Sequence, residues 1–267
     1  MLLGGFDGLH IGHRRLLSRA KASGFSVGVM SIIGGKDGNL FTFAERERIF
    51  QENGADFMVE LPFEEIKALT PQQFIEKLTS EFDVRLFVCG EDFRFGAGAV
   101  GTPDTLKTLQ IPVETLSLVC IDGEKISSRT IKQRLKMGDI EGANALLGEE
   151  FFLLGQVEKD RQVGRTIGFP TANISYPAEK FPLKIGVYET RVTVDGKEYK
   201  GITNYGARPT FDNEKVVTET HLDGFSGDLY NRELCVRFVK FLRKIKKFNG
   251  ADELKAQLEE DIRRIRK

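Results

Sequence analysis

The stretch Gly4-Gly5-Phe6-Asp7-Gly8-Leu9-His10-Ile11-Gly12-His13 packs glycines, a carboxylate and two imidazoles into one short loop. Glycines at 4, 5, 8 and 12 let a phosphate chain approach the backbone closely. A helix expected from about Gly12 to Ala22 adds unpaired amide donors and the positive end of its dipole. His10 and His13, three residues apart, can lean on the same phosphates; the plainer alternative is a Gly-rich turn with two surface histidines. A second cluster, Lys125-Ile126-Ser127-Ser128-Arg129-Thr130-Ile131-Lys132, brings hydroxyls and cations to a helix start. That too suits phosphate, although a simple capping sequence reads the same way. Between them lies the Gly-bounded loop Gly90 to Gly96, carrying Asp92. A third cluster, Gly164-Arg165-Thr166-Ile167-Gly168-Phe169-Pro170-Thr171-Ala172-Asn173, sets two small oxygen-bearing side chains, Thr171 and Asn173, two residues apart. Oxygens of this kind suit Mg²⁺, which keeps its waters and shares substrate phosphates; the alternative is a polar turn.

The elements that must hold these clusters change character along the chain. Up to about residue 148, short apolar runs at 25–33, 56–61, 85–89 and 113–119 alternate with helices marked by capping residues at Thr42 with Glu45, Thr70 with Gln73, and Thr102-Pro103, and by stops at Gly54 and Gly138. That alternation predicts a doubly wound, Rossmann-like α/β sheet. After Gly148, strand-like stretches at 151–157, 186–194, 197–203, 216–222 and 234–242 follow, with an Asp195-Gly196 hairpin signal. These predict an antiparallel barrel or sandwich. A terminal helix over 251–266 places Leu254, Leu258, Ile262 and Ile265 on one face. The expected division is residues 1–148 and 149–267.

Composition excludes more than it selects. The 267 residues carry 39 basic and 39 acidic side chains, so no net field attracts nucleic acid or a membrane surface. The basic run Lys240, Arg243, Lys244, Lys246 and Lys247 interleaves with Phe238, Phe241, Leu242 and Ile245, as a strand with a solvated basic edge does. Cys89, Cys120 and Cys235 sit in mostly apolar stretches as small hydrophobes without a CxxC pair, and only three histidines are present, so neither a disulfide framework nor structural zinc is expected. Met1 to Gly5 reads as neither signal peptide nor anchor, and so few residues before the first loop imply a short first strand and a truncated start. A cytoplasmic monomer or weak oligomer acting on small molecules is expected.

The motifs together resemble the bifunctional riboflavin kinase/FMN adenylyltransferases, the prokaryotic FAD synthetases. Gly4 to His13 meets the family's Gly-x-Phe-Asp-Gly-x-His-x-Gly-His, Gly90 to Gly96 its Gly-x-Asp-Phe-x-Phe-Gly, and Ile126 to Ser128 its Ile-Ser-Ser; Gly164 to Asn173 matches the riboflavin kinase hallmark. Gly186-Val187-Tyr188, Asn204-Tyr205-Gly206 with Arg208-Pro209-Thr210, and Glu219-Thr220-His221-Leu222 follow in family order. The resemblance implies an N-terminal domain that adenylylates FMN and a C-terminal barrel that phosphorylates riboflavin, both using ATP and Mg²⁺. By the same resemblance His10 and His13 act on ATP, helped by Gly5, Phe6, Asp7, Gly8, Gly12, Asp92, Lys125, Ser127, Ser128 and Arg129 or Lys132. Gly164, Arg165, Gly168 and Pro170 would bind the second ATP, Thr171 and Asn173 the Mg²⁺, and Asn204, Arg208 and Arg243 the flavin. Glu219 would be the kinase base. The chain departs from the family at Arg129-Thr130 and Lys132 and lacks Asp-Pro-His-Pro over 32–37. A riboflavin kinase whose N-terminal domain has become weakened or regulatory is therefore the alternative, with a non-catalytic flavin- or RNA-binding regulator behind it.

Overall fold

The computed structural model describes residues 1–34, 38–108, 111–121, 123–159, 168–209 and 214–267. They form two compact units, residues 1–131 with 179–181, and residues 132–178 with 182–267.

The first unit is built on β1 (Leu2–Gly4), β2 (Gly28–Ile33), β3 (Phe57–Pro62), β4 (Phe87–Gly90) and β5 (Val113–Leu116), paired in parallel in the order β3-β2-β1-β4-β5. Leu2, Leu3, Val29, Met30, Phe87, Val88 and Cys89 are buried, as expected of strands covered on both faces. Helices α1 (Ile11–Lys21), α2 (Phe43–Glu52), α3 (Phe63–Ile66), α4 (Pro71–Glu81) and α5 (Pro103–Lys107) connect them. The caps are those the sequence announces: Thr42 with Glu45 and Thr70 with Gln73 form reciprocal capping boxes, and Thr102 does the same with Thr105. The strand order reverses between β1 and β4, so the loops leaving their C-terminal ends border one crevice.

Several boundaries differ from expectation for local reasons. β2 begins at Gly28, and Phe25 stands 54% exposed, ahead of the sheet. β5 stops at Leu116, because the Leu118 N–H is drawn 2.9 Å from the Glu91 carboxylate. A small hairpin of β6 (Cys120–Ile121) and β7 (Glu124–Lys125) then leads into α6 (Ser128–Met137), and Cys120 is exposed rather than packed as a small hydrophobe.

In the second unit α7 (Ile140–Leu147), capped by Asp139 and closed by left-handed Gly148, precedes an antiparallel sheet. Its strands are β8 (Phe152–Gln156), β9 (Thr171–Ser175), β10 (Gly186–Val194), β11 (Lys197–Pro209), β12 (Glu214–Leu222) and β13 (Glu233–Arg243), ordered β8-β13-β10-β11-β12-β9. The ends nearly close into a barrel: the Glu158 N–H donates to the Asn173 carbonyl at 2.8 Å, and a Cβ on Gly155 would fall 2.5 Å from Ile174, so only glycine permits that approach. The fully buried face carries Tyr188, Tyr205 and Phe238 beside a hydroxyl ladder. Thr190, Thr203 and Thr220 meet Oγ1 to Oγ1 at 2.8 Å, and Thr218 donates to the Ile174 carbonyl. The Asp195-Gly196 hairpin has both residues at positive φ, as its sequence requires. Helix α8 (Ala251–Arg266) packs Ile262 and Ile265 on Val187 and Ile202 of the opposite face.

Candidate active sites

The crevice at the strand reversal holds a pocket of about 300 Å³, lined by the loop after β1, the loop after β4, and the start of α6. Gly4, Gly5, Phe6, His10, Gly12, His13, Asp92, Lys125, Ser127 and Ser128 all line it. Two other loop residues face inward to the protein instead. Asp7 accepts from the Leu40 N–H at 2.7 Å, and the Gly8 carbonyl lies 2.6 Å from His13 Nδ1. Arg129 is exposed on α6, and it and Lys132 are not among the lining residues.

His10 is the N-cap of α1, its Nδ1 accepting from the His13 N–H at 3.2 Å. The neutral ring must then carry its proton on Nε2, leaving that atom a donor. His13 donates from Nδ1 to the Gly8 carbonyl, so its neutral Nε2 is an acceptor. The two rings stack with centroids 3.6 Å apart, and Phe6 supports His13 from 4.6 Å. Gly12 packs closely on this pair, since a Cβ there would sit 3.1 Å from the His10 ring. Phe6 adopts φ +32°, a strained conformation for a non-glycine residue in the turn that presents these rings. Facing them, Lys125 and Asp92 form an ion pair. Ser127 caps α6 through the Thr130 N–H at 3.2 Å and meets the Thr130 hydroxyl at 3.1 Å.

Burial holds both imidazoles neutral. The His10 pKa is lowered to about 2 by desolvation, with His13 adding repulsion, and that of His13 to about 4 by desolvation against the opposing pull of the Gly8 carbonyl. Both lie below the unfolded value, so the unfolded chain binds more protons as pH falls through 6.5. The neutral pair therefore contributes stability above pH 6.5 that is lost progressively toward pH 4. His10→Asn keeps a capping acceptor but cannot titrate. It is expected to flatten the fall of the urea midpoint between pH 6.5 and 4, and an unchanged slope would contradict the assignment.

In the second unit the polar residues of the hallmark lie on a strand, where a turn was the alternative. Directly opposed residues in an antiparallel pair share a face. Register sets Asn173 opposite Glu219, Glu219 opposite Asn204, and Thr171 opposite His221. Thr171, Asn173, Glu219, His221 and Asn204 thus occupy one face, opposite that of the hydroxyl ladder. Pro170, Thr171 and Asn173 line a pocket of about 500 Å³ with Asp228 and Tyr230, while Glu219 stands beside it in the sheet. His221 Nδ1 lies 3.0 Å from the Pro170 carbonyl, at the start of β9. Arg243 is bound bidentately by buried Asp261 of α8. Left-handed Gly168 leads into β9; Gly164 and Arg165 lie outside the described residues, and of Arg208 only the backbone pairing with Lys215 is described. Gly227-Asp228-Leu229-Tyr230, which the family resemblance implies as a loop on the flavin side, lines this pocket, whereas Asp261 was not anticipated, since only the packing of α8 brings it there.

Two family models match the chain, FAD synthetase over residues 1–130 and riboflavin kinase over 147–267. The Bacillus subtilis bifunctional riboflavin kinase/FMN adenylyltransferase is 34% identical, covering 98% of this chain and 89% of its own length. The Mycoplasma pneumoniae protein of the same name is 32% identical, covering 100% and 96%. A crystal structure from Streptococcus pneumoniae described as a macrolide-efflux protein superposes with TM-score 0.86 at 29% identity, covering 98% of this chain and 91% of that one. Among the described residues here, no helix is long and apolar enough to cross a membrane.

Proposed function

Because the chain belongs to the bifunctional riboflavin kinase/FMN adenylyltransferase family, we propose a division of its two reactions between the two pockets. The enzyme phosphorylates riboflavin to FMN with ATP and adenylylates FMN to FAD with release of pyrophosphate. An FAD synthetase match over 1–130 together with full-length bifunctional relatives supports both activities rather than a kinase alone.

The adenylylation half is assigned to the first pocket and to residues 1–148. The observation that carries it is the stacked His10–His13 pair at the mouth of α1, facing Lys125 across the crevice. An FMN phosphate oxygen attacks the ATP α-phosphorus and pyrophosphate leaves, so positioned donors and charge do the catalysis. His10 Nε2–H supplies one donor without titrating. His13 becomes a second when the phosphates' negative charge favours its protonation. Lys125 exchanges Asp92 for the leaving pyrophosphate, with Ser128 beside it, and Asp92 is freed toward the ribose or base.

The kinase half is assigned to residues 149–267. Glu219 takes the proton of the ribityl 5′-hydroxyl as the γ-phosphoryl group moves, positioned between Asn173 and Asn204. The donor set fits Mg²⁺: Thr171 and Asn173 present neutral oxygens from one strand face to one pocket. Among the described residues no cluster of three His, Cys, Asp or Glu could hold a metal. The ion would thus rest on neutral oxygens, waters and substrate phosphates, whose charge it would neutralise. Asn204 and Arg208 are proposed for the flavin; Arg243 would reach it only by leaving Asp261. The reading takes the protein as a cytoplasmic monomer or weak oligomer without nucleic-acid or membrane partners; its balanced charge supports the last of these.

Assaying FMN to FAD and riboflavin to FMN separately, with one pocket altered at a time, tests this division. Each alteration should stop one reaction and spare the other; loss of both together refutes it.

A further inference from the structure

The first unit is completed by three residues from far along the chain, Glu179–Phe181. The Asn39 N–H donates to the Glu179 carbonyl at 2.7 Å, and the Phe181 N–H donates to the Asn39 carbonyl at 2.6 Å, a parallel bridge on Lys180. The Lys180 side chain is fully buried, its ammonium bound to the equally buried carboxylate of Glu45 and 4.6 Å from the Phe41 ring centroid. Lysine is almost never buried so completely unless paired. The same Glu45 oxygen accepts the Thr42 N–H that caps α2.

What this pair holds is the back of the phosphate loop. Leu40 donates its N–H to Asp7, and the Phe41 ring packs so closely under Gly8 that a Cβ there would be 3.0 Å away. The next residue of α2, buried Arg46, binds Glu60 and donates to Ser31 Oγ at 3.3 Å; Ser31 in turn donates to the Gly5 carbonyl at 3.2 Å. Neighbouring residues in the first turn of α2 thus reach both ends of Gly5–Gly8.

We propose that Lys180 is a positioning residue for adenylyl transfer, holding Gly5–Gly8, and through them His10 and His13, by way of Glu45 and residues 39–42. The inference rests on assigning that reaction to the first pocket. Lys180 follows the kinase residue Asn173 by seven positions, so a role confined to its own stretch of sequence would show in riboflavin phosphorylation. The proposal places the effect in the other reaction. Buried ion pairs add little net stability, but removing one partner strands the other.

In the full chain, Lys180→Met should lower kcat/KM for ATP in FMN adenylylation about tenfold or more, the scale on which small displacements act, and leave riboflavin phosphorylation within about twofold. Glu45→Gln/Lys180→Met, which strands no charge and keeps the cap, should recover most of the loss. Adenylylation unchanged in Lys180→Met, or both reactions falling together, would overturn the proposal. Hydrogen exchange reads it without activity or substitution: in the wild-type chain the Asn39 and Phe181 amides should open in the same cooperative step as residues 5–13, and separate opening would overturn it. A wild-type chain that forms no FAD would instead refute the assignment of the pocket and leave the exchange result to decide the role of Lys180.

Discussion

His10→Ala is expected to lower FAD formation from FMN by about 10²–10³-fold, the usual cost of one preorganised donor, while FMN formation from riboflavin stays within about twofold of wild type. The change removes the Nε2 donor and also the α1 cap, which by itself costs about 1 kcal/mol. His10→Asn separates the two effects, because it restores a capping acceptor without an imidazole. Its stability should approach wild type and its adenylylation should not. Steady-state assay of each half-reaction, with thermal unfolding in parallel, checks this; full adenylylation by His10→Ala would remove His10 from the site.

Glu219→Gln should lower riboflavin phosphorylation by about 10²–10⁴-fold, the range for losing a general base, with riboflavin affinity changed by no more than about threefold. Gln fills the same space between Asn173 and Asn204, so the barrel face is preserved and only proton acceptance is lost. FMN adenylylation should be unaffected. A single-turnover phosphorylation rate near wild type would assign the base elsewhere, with Asp228, at the rim of the neighbouring pocket, the next residue to test.

Much of the first pocket was legible because its chemistry is local. Glycines and histidines spaced along one loop announce a phosphate-facing turn, and the capping boxes at Thr42 and Thr70 mark their helices directly. The Asp92–Lys125 pair was nameable as two residues but not as a contact, since only the reversal of strand order brings the loops together. β9 was harder: Thr171-Ala172-Asn173 after Gly168-Phe169-Pro170 has the composition of a turn, and tertiary pairing with β12 overrides it. Arg243 carries no local sign that Asp261 claims it. Lys180 was illegible altogether, because nothing in Glu179-Lys180-Phe181 distinguishes a buried ammonium from a solvated one; burial is decided by Glu45, which lies in another element.

The most direct test of two separate sites, each performing one half-reaction, is complementation between the two damaged enzymes. Given riboflavin, ATP and Mg²⁺, His10→Ala should stop at FMN and Glu219→Gln should leave riboflavin unconverted, so neither alone yields FAD. Mixed in equal amounts, the two variants should form FAD, as FMN released by the first is adenylylated by the second. A mixture that accumulates FMN without FAD, or either variant alone carrying riboflavin through to FAD, would contradict the assignment.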